Sequence, residues 1–134
     1  MKNAELDRVL SDFPDLTCEG FEQGGTLNYL THRANMFHAT FVCEFEIARK
    51  WFKTAPRRES PNLRHGYSYA LKHVIENWAG EYVSNGAAIA AALSLGFAIE
   101  RSPRSLNCWI GVGDRRKWPV RDQGADCRHL ISPG

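Results

Sequence analysis

Apolar residues near the start of the chain recur at helical spacing. Val9 and Leu10 lie three and four residues after Leu6, Phe13 lies three residues after Leu10, and Pro14 blocks continuation of a helix. The pattern predicts a short amphipathic helix over residues 3–12. Residues 14–31 include three glycines and show no apolar period, which indicates a loop or a weak strand region.

Two periods compete between Arg33 and Lys53. One is a helical stripe and the other is an alternation of apolar residues from Phe41 to Ile47, as in a strand. Glu46 lies four residues before Lys50, a spacing that supports a helix, so we expect a helix here. The residues of the helical stripe are Phe37, Phe41, Phe45, Ala48 and Phe52.

The strongest helical pattern follows residues 54–66, which carry prolines and arginines and predict an exposed basic loop. Apolar residues keep helical spacing from Leu71 to Tyr82. Ser68 is the expected N-cap of this helix, and Gly80 is expected to end it.

A second, alanine-rich helix is predicted from Asn85 to Leu95. Ser84 is its expected N-cap, and Gly96 is the expected C-terminal stop. Alanine side chains on the apolar face allow other helices to approach closely.

The chain then changes to two short apolar segments, 97–101 and 106–112, on either side of a Ser-Pro-Arg-Ser turn. This pattern predicts a β-hairpin. The predicted fold class is α+β: one small, helix-rich domain over residues 1–134 with a C-terminal β-hairpin. The element order is also that of a winged helix-turn-helix, although many other α+β domains share it. Residues 114–134 are polar and basic and are expected to form a flexible tail.

Composition narrows the possible classes of protein. The 134 residues are 43% hydrophobic and 24% charged, as in ordinary globular domains. The longest mainly apolar stretch, residues 86–99, is shorter than the roughly 20 residues of a membrane-spanning helix. Charge in the first residues argues against an export signal, so we expect a cytoplasmic protein with no membrane partner. The four cysteines form no C-x-x-C pair and are expected to be reduced thiols.

Charge is distributed unevenly along the chain. Residues 1–46 hold 3 Lys and Arg against 8 Asp and Glu, a net −5, whereas residues 47–134 hold 14 against 7, a net +7. This asymmetry suggests a polyanion or an acidic protein surface as the partner of the C-terminal part. The alternative is an unevenly charged surface that only faces water.

Motifs for catalysis or for cofactor binding are not apparent. Cys127 and His129 form the only tight Cys/His cluster, which is too small for a metal site, so we expect no metal and no cofactor. The segment Gly111–Lys117 lacks the residues of a phosphate-binding loop, and its glycines are expected to end the hairpin. We therefore expect no catalytic residues.

Cations and aromatic residues alternate around the start of the strongest helix. Such mixtures are used in recognition of nucleic acids and acidic proteins. The alternative is that the tyrosines pack against the core and that the cations are merely solvated. The predicted partner-binding residues are Arg64, His65, Tyr67, Tyr69, Lys72 and His73, together with Asn85, Arg101 and Arg104.

Two segments resemble a group of short, uncharacterised proteins of phages, plasmids and integrated elements. The group carries Ser-Tyr-x-Leu-Lys-His, present here at residues 68–73, and then Tyr-Val-Ser-Asn-Gly, present at residues 82–86, before an alanine-rich helix. The resemblance covers about 35 residues of the chain. It implies a role in replication control, in transcriptional regulation or in inhibition of a host defence such as restriction or CRISPR.

Three functions follow from these patterns. The leading one is a non-enzymatic mobile-element accessory protein that binds a host protein or a nucleoprotein complex, for example as an anti-CRISPR or anti-restriction inhibitor. The alternative is a winged helix-turn-helix regulator that binds DNA directly. A Cys/His-dependent enzyme is the third.

Overall fold

The computed structural model describes residues 3–120. Within them the chain forms five α-helices and two antiparallel hairpins, which confirms the α+β class. The helices are α1 (Ala4–Asp12), α2 (Leu27–Asn35), α3 (Ala39–Thr54), α4 (Ser68–Ala79) and α5 (Asn85–Ser94). The strands are β1 (Leu16–Thr17), β2 (Gly20–Phe21), β3 (Ile99–Arg101) and β4 (Cys108–Ile110).

The N-terminal segment agrees with the predicted helix and adds one that the pattern did not predict. The Asn3 side chain caps α1 by accepting a hydrogen bond from Leu6 N. After the β1–β2 hairpin, α2 begins at Leu27, although residues up to 31 were expected to be irregular. None of its residues is buried, so it has no apolar stripe facing the core. Instead, the Arg33 guanidinium donates hydrogen bonds to the carbonyls of Leu10, Phe13 and Leu16.

The helix expected between Arg33 and Lys53 is interrupted at residues 36–38. Met36 is fully buried at the break, and α3 then continues the helical stripe. Phe37 was expected on that stripe, but it precedes α3 and is 62% exposed. The helical interpretation is therefore confirmed for residues 39–54.

Helix α4 ends at Gly80 as predicted, in a left-handed conformation with φ of 70°. Its expected N-cap is wrong, because Tyr67 occupies the capping position and Ser68 is the first helical residue. The Ser68 hydroxyl donates to Asn107 Oδ1 and accepts from Cys108 N instead. It thus ties α4 to the C-terminal hairpin.

Helix α5 is the centre of the molecule. Ser84 caps it by accepting a hydrogen bond from Ala87 N, as predicted, and residues 85–92 are all buried. The helix packs against α1, α3 and α4. At Gly86 the main chain of α5 approaches β1 so closely that an added Cβ would lie 2.0 Å from Thr17 O.

The C-terminal hairpin pairs Ile99 with Ile110 and Arg101 with Cys108. Although helix, turn, helix and hairpin do follow one another, α5 stands in the position of a recognition helix and is buried. A recognition helix must present side chains to a DNA groove. The burial of residues 85–92 therefore argues against winged-helix DNA recognition.

Residues 115–117 form a 3₁₀ turn after the hairpin, and Trp118 packs edge-on against Trp51 with ring centroids 5.5 Å apart. The remainder of the expected flexible tail lies outside the described residues.

No helix within residues 3–120 is long and apolar enough to cross a bilayer. Cys18 and Cys108 are free thiols, as expected.

Candidate functional site

The basic loop between α3 and α4 lies along the C-terminal hairpin. Arg58 N donates to Gly111 O over 2.9 Å, and Gly113 N donates to Pro56 O over 2.8 Å. Arg57 also forms an isolated antiparallel bridge with Val112. Since the loop's main chain is paired in this way, its arginines are carried on a fixed support.

Asn62 fixes the turn in this loop. Its buried side-chain amide donates to Val112 O over 2.9 Å, and its Oδ1 accepts hydrogen bonds from Arg64 N and His65 N. One side chain thereby satisfies three main-chain groups, as asparagine commonly does in turns. The predicted residues Arg64 and His65 are consequently held beside the segment that follows β4.

A cleft of about 1010 Å³ opens between this loop and residues 113–117, and we call it the basic cleft. Within residues 3–120, its lining includes six Lys and Arg residues and one Asp, a formal charge of +5 with His65 neutral. The Arg57 guanidinium itself lies over the Phe97 ring, 4.1 Å from its centre. The cleft is lined by Pro56, Arg57, Arg58, Asn62, Arg64, His65, Gly113, Asp114, Arg115, Arg116 and Lys117.

The Asp114 carboxylate of the basic cleft is already paired. Arg116 Nη2 lies 3.0 Å from Asp114 Oδ2, and the hydrogen bonds from Arg116 lower the pKa of Asp114. Arg64, Arg115 and Lys117 form no ion pair within residues 3–120. The cleft therefore presents cations that an external anion can neutralise.

A smaller pocket of about 140 Å³ adjoins the basic cleft and shares Arg64, His65 and Arg115 with it. We call it the side pocket. Its remaining walls are apolar or aromatic and consist of Tyr67, Ala70, Leu71, Val74 and Trp118. Trp118 is held in place because its Nε1 donates to Gly113 O over 3.1 Å.

The other predicted residues of α4 form a separate cluster around Lys72. This lysine, predicted to bind a partner, is only 7% exposed, so the alternative of a merely solvated cation is wrong. Its Nζ lies 3.4 Å from Glu76 Oε2, and 4.7 Å from the centre of the Tyr82 ring. Tyr69 contacts the same ammonium, and His73 lies 3.0 Å from Glu76. Lys72 therefore has a structural role in joining α4 to the following turn.

Asn85, Arg101 and Arg104 also lie apart from the basic cleft. Asn85 is 7% exposed, and its Nδ2 donates to Glu19 O. Arg101 pairs with Asp15 and stacks on Phe21, with 3.9 Å between the guanidinium carbon and the ring centre. Arg104 lies in the hairpin turn with a φ of 57°. The structure thus brings only Arg64, His65 and Tyr67 of the predicted set to the basic cleft and side pocket.

The free thiols of the described part are not activated for nucleophilic attack. Burial raises the pKa of Cys18, and it raises the pKa of Cys108 to about 12. A reactive cysteine needs a lowered pKa, because the thiolate is the nucleophile. Cys127 and His129 lie outside the described residues. Within residues 3–120, no group of three or more His, Cys, Asp or Glu residues could hold a metal ion.

The sequence did not predict that residues 57–65 and 113–117 would meet. A signal was present in the two glycines at positions 111 and 113, which were expected only to end a strand. Glycines within a strand often mark close approach of another backbone. A Cβ on Gly111 would lie 3.0 Å from Ser60 O, and one on Gly113 would lie 3.0 Å from Pro56.

Comparison with known proteins does not assign the chain to a family. No family model, curated protein or solved structure matches the chain. The functional argument therefore rests on the basic cleft and the side pocket.

Proposed function

We propose that the protein is a non-catalytic binding protein whose basic cleft contacts the phosphate backbone of a nucleic acid, either free or within a nucleoprotein complex. The observation that carries this proposal is that, within residues 3–120, six Lys and Arg residues line one cleft with a single Asp, whose carboxylate is paired with Arg116. Phosphate contacts supply most of the sequence-independent affinity of such proteins.

The chemistry of the cations supports phosphate as the ligand. Five of the six are arginines, whose planar guanidinium groups bind phosphate through two parallel hydrogen bonds. Main-chain pairing of residues 56–58 with residues 111–113 orders the support in advance. Ordering before binding reduces the entropy cost of association.

The mobile-element role is part of this proposal. The resemblance of residues 68–86 to proteins of phages and plasmids makes a host nucleoprotein complex a suitable target, and inhibition of a defence system a suitable outcome. The winged-helix alternative is disfavoured because α5 is buried. The Cys/His enzyme alternative has no support from Cys18 or Cys108, whose pKa values are both raised.

Salt-dependent binding of DNA tests the proposal. Arg64→Ala combined with Lys117→Ala removes two cations of the basic cleft, and Arg8→Ala combined with Lys53→Ala removes two exposed cations elsewhere. We expect the first pair to weaken binding of a labelled oligonucleotide. It should also flatten the log–log salt dependence by about 0.7 to 0.9 for each phosphate that is no longer neutralised.

The control pair should leave both the affinity and the slope nearly unchanged. Equal weakening by the two pairs would reduce the effect to net charge and contradict a defined site. Absence of DNA binding by the unsubstituted protein at about 50 mM salt would overturn the proposal as a whole.

A further inference from the structure

We infer that the basic cleft and the side pocket together form a site for single-stranded nucleic acid, in which the cleft holds phosphates and the side pocket receives one unpaired base. This inference rests on the proposed function and specifies its ligand. It depends on a cationic groove and an aromatic, apolar recess that share three lining residues.

The two cavities adjoin, because Arg64, His65 and Arg115 line both of them. Adjacent phosphates and bases of a nucleotide chain are likewise joined through one sugar. A ligand with its phosphate beside Arg64 and Arg115 can therefore direct its base toward the side pocket. Cationic grooves combined with aromatic contacts are the usual arrangement for binding of single strands.

The side pocket has the size and lining for one flat ring. Its volume is about 140 Å³, and an apolar cavity of about 150 Å³ is known to accommodate benzene. Its lining includes the aromatic residues Tyr67 and Trp118 and the smaller Ala70 and Val74. Polar groups of a base can face the shared residues at the mouth.

The aromatic walls are held by contacts that do not involve the pocket. The Tyr67 hydroxyl lies 3.3 Å from Ser105 Oγ, and its ring packs against Trp109 with centroids 5.5 Å apart. Trp118 is fixed by Gly113 O and by the edge-on contact with Trp51. A rigid recess of this kind selects a base that is already unstacked. Bases of an intact duplex are stacked and paired, and must be flipped out before they can enter.

The test compares three DNA probes of about 16 nucleotides with equal labels: oligothymidylate, its duplex with oligoadenylate, and an abasic strand that keeps the sugar–phosphate backbone. Fluorescence anisotropy at fixed salt gives the three affinities. We expect oligothymidylate to bind roughly tenfold more tightly than the abasic strand, since base–aromatic contacts contribute on this scale. It should also bind more tightly than the duplex.

Ala70→Phe then fills the side pocket from an exposed position on α4, and Asn77→Phe places the same side chain at another exposed position of that helix, outside the pocket lining. We expect Ala70→Phe to lower the affinity for oligothymidylate to that of the abasic strand, with little effect on abasic or duplex binding. Asn77→Phe should retain the preference. Circular dichroism verifies that both variants fold.

The outcomes separate this inference from the proposed function. Equal binding of all three probes, tighter binding of the duplex, or a preference that survives Ala70→Phe would overturn the base pocket and leave phosphate binding intact. Failure to bind any probe would overturn both. The comparison of probes with the unsubstituted protein is decisive even if a variant does not fold.

Discussion

At the scale of single residues, Gly86 shows how tightly α5 is enclosed. Glycine inside a helix usually costs about 1 kcal/mol relative to alanine, so propensity alone predicts that Gly86→Ala stabilises the protein. The neighbouring main chain reverses this expectation, because the new Cβ would lie 2.0 Å from Thr17 O and 2.7 Å from Cys18 Cα. We expect destabilisation by about 2 kcal/mol or more, typical of an overpacked core.

Urea denaturation monitored by circular dichroism measures this destabilisation. Gly24→Ala is the matched control, because no atom lies within 4 Å of the position of its Cβ. The control should unfold at the same urea concentration as the parent protein or slightly above it. Equal stability of Gly86→Ala and the parent would contradict the close approach of α5 to β1.

Glu44 gives a prediction that depends on pH. Desolvation raises the pKa of this carboxyl above 4.5, even though Ser84 N donates a hydrogen bond to it over 2.9 Å. The folded state therefore holds the proton to higher pH than the unfolded state, and ionisation of Glu44 lowers the free energy of unfolding as the pH rises above 4.5. Glu44→Gln keeps an acceptor oxygen and removes the charge.

We expect Glu44→Gln to be more stable than the parent at neutral pH, and this advantage to shrink as the pH falls towards 4.5. Denaturation midpoints at several pH values provide the measurement. Glu59→Gln, at an exposed position, reports the effect of removing a surface carboxylate. If Glu44→Gln were more stable than the parent by the same amount at every pH, the raised pKa of Glu44 would be refuted.

At the scale of elements, the anchoring of α4 depends on Lys72. Reversal of this charge would place a carboxylate next to Glu76, in a position that is 7% exposed. We expect Lys72→Glu to destabilise the protein by about 3 kcal/mol or more, as for a broken buried ion pair. Arg64→Glu changes an exposed residue of the basic cleft and should alter stability by less than about 0.5 kcal/mol.

Thermal melts of the two variants distinguish these roles, because Lys72→Glu should lower the melting temperature more than Arg64→Glu. In DNA binding, Arg64→Glu should lose more affinity than the folded fraction of Lys72→Glu. Similar melting temperatures for both variants would mean that Lys72 is a solvated cation after all. The sequence presents Arg64 and Lys72 as equivalent members of one basic cluster. The ion pair of Lys72 with Glu76 and the packing of Tyr69 and Tyr82 around its ammonium separate the two residues.

Local patterns explain which elements could be predicted. Helices α1, α4 and α5 have caps or stops close to their ends, and the segment 102–105 marks the hairpin turn. Helix α2 has no buried face, so its sequence shows no apolar periodicity from which the helix could be predicted. The basic cleft required the pairing of residues 56–58 with residues 111–113, about fifty positions apart, and a local pattern does not specify such a partner.

At the scale of the whole molecule, the helices share one core. Helix α5 packs against α1, α3 and α4, and the buried apolar residues from Leu6 to Val112 form one cluster. We therefore expect residues 3–120 to unfold in one cooperative transition. Tryptophan fluorescence and far-ultraviolet circular dichroism should give the same urea midpoint. Two separated transitions would indicate that the N-terminal elements unfold independently.

The central position of α5 also has a consequence for synthesis of the chain on the ribosome. The helix lies late in the sequence, and three of the helices that surround it emerge before it. A nascent chain that ends before Asn85 must leave the inner faces of α1 and α3 without the partner that buries them. Productive folding of this protein is thus tied to translation past Ser94, and nascent chains stalled before that point are natural clients for chaperones that bind exposed apolar surface.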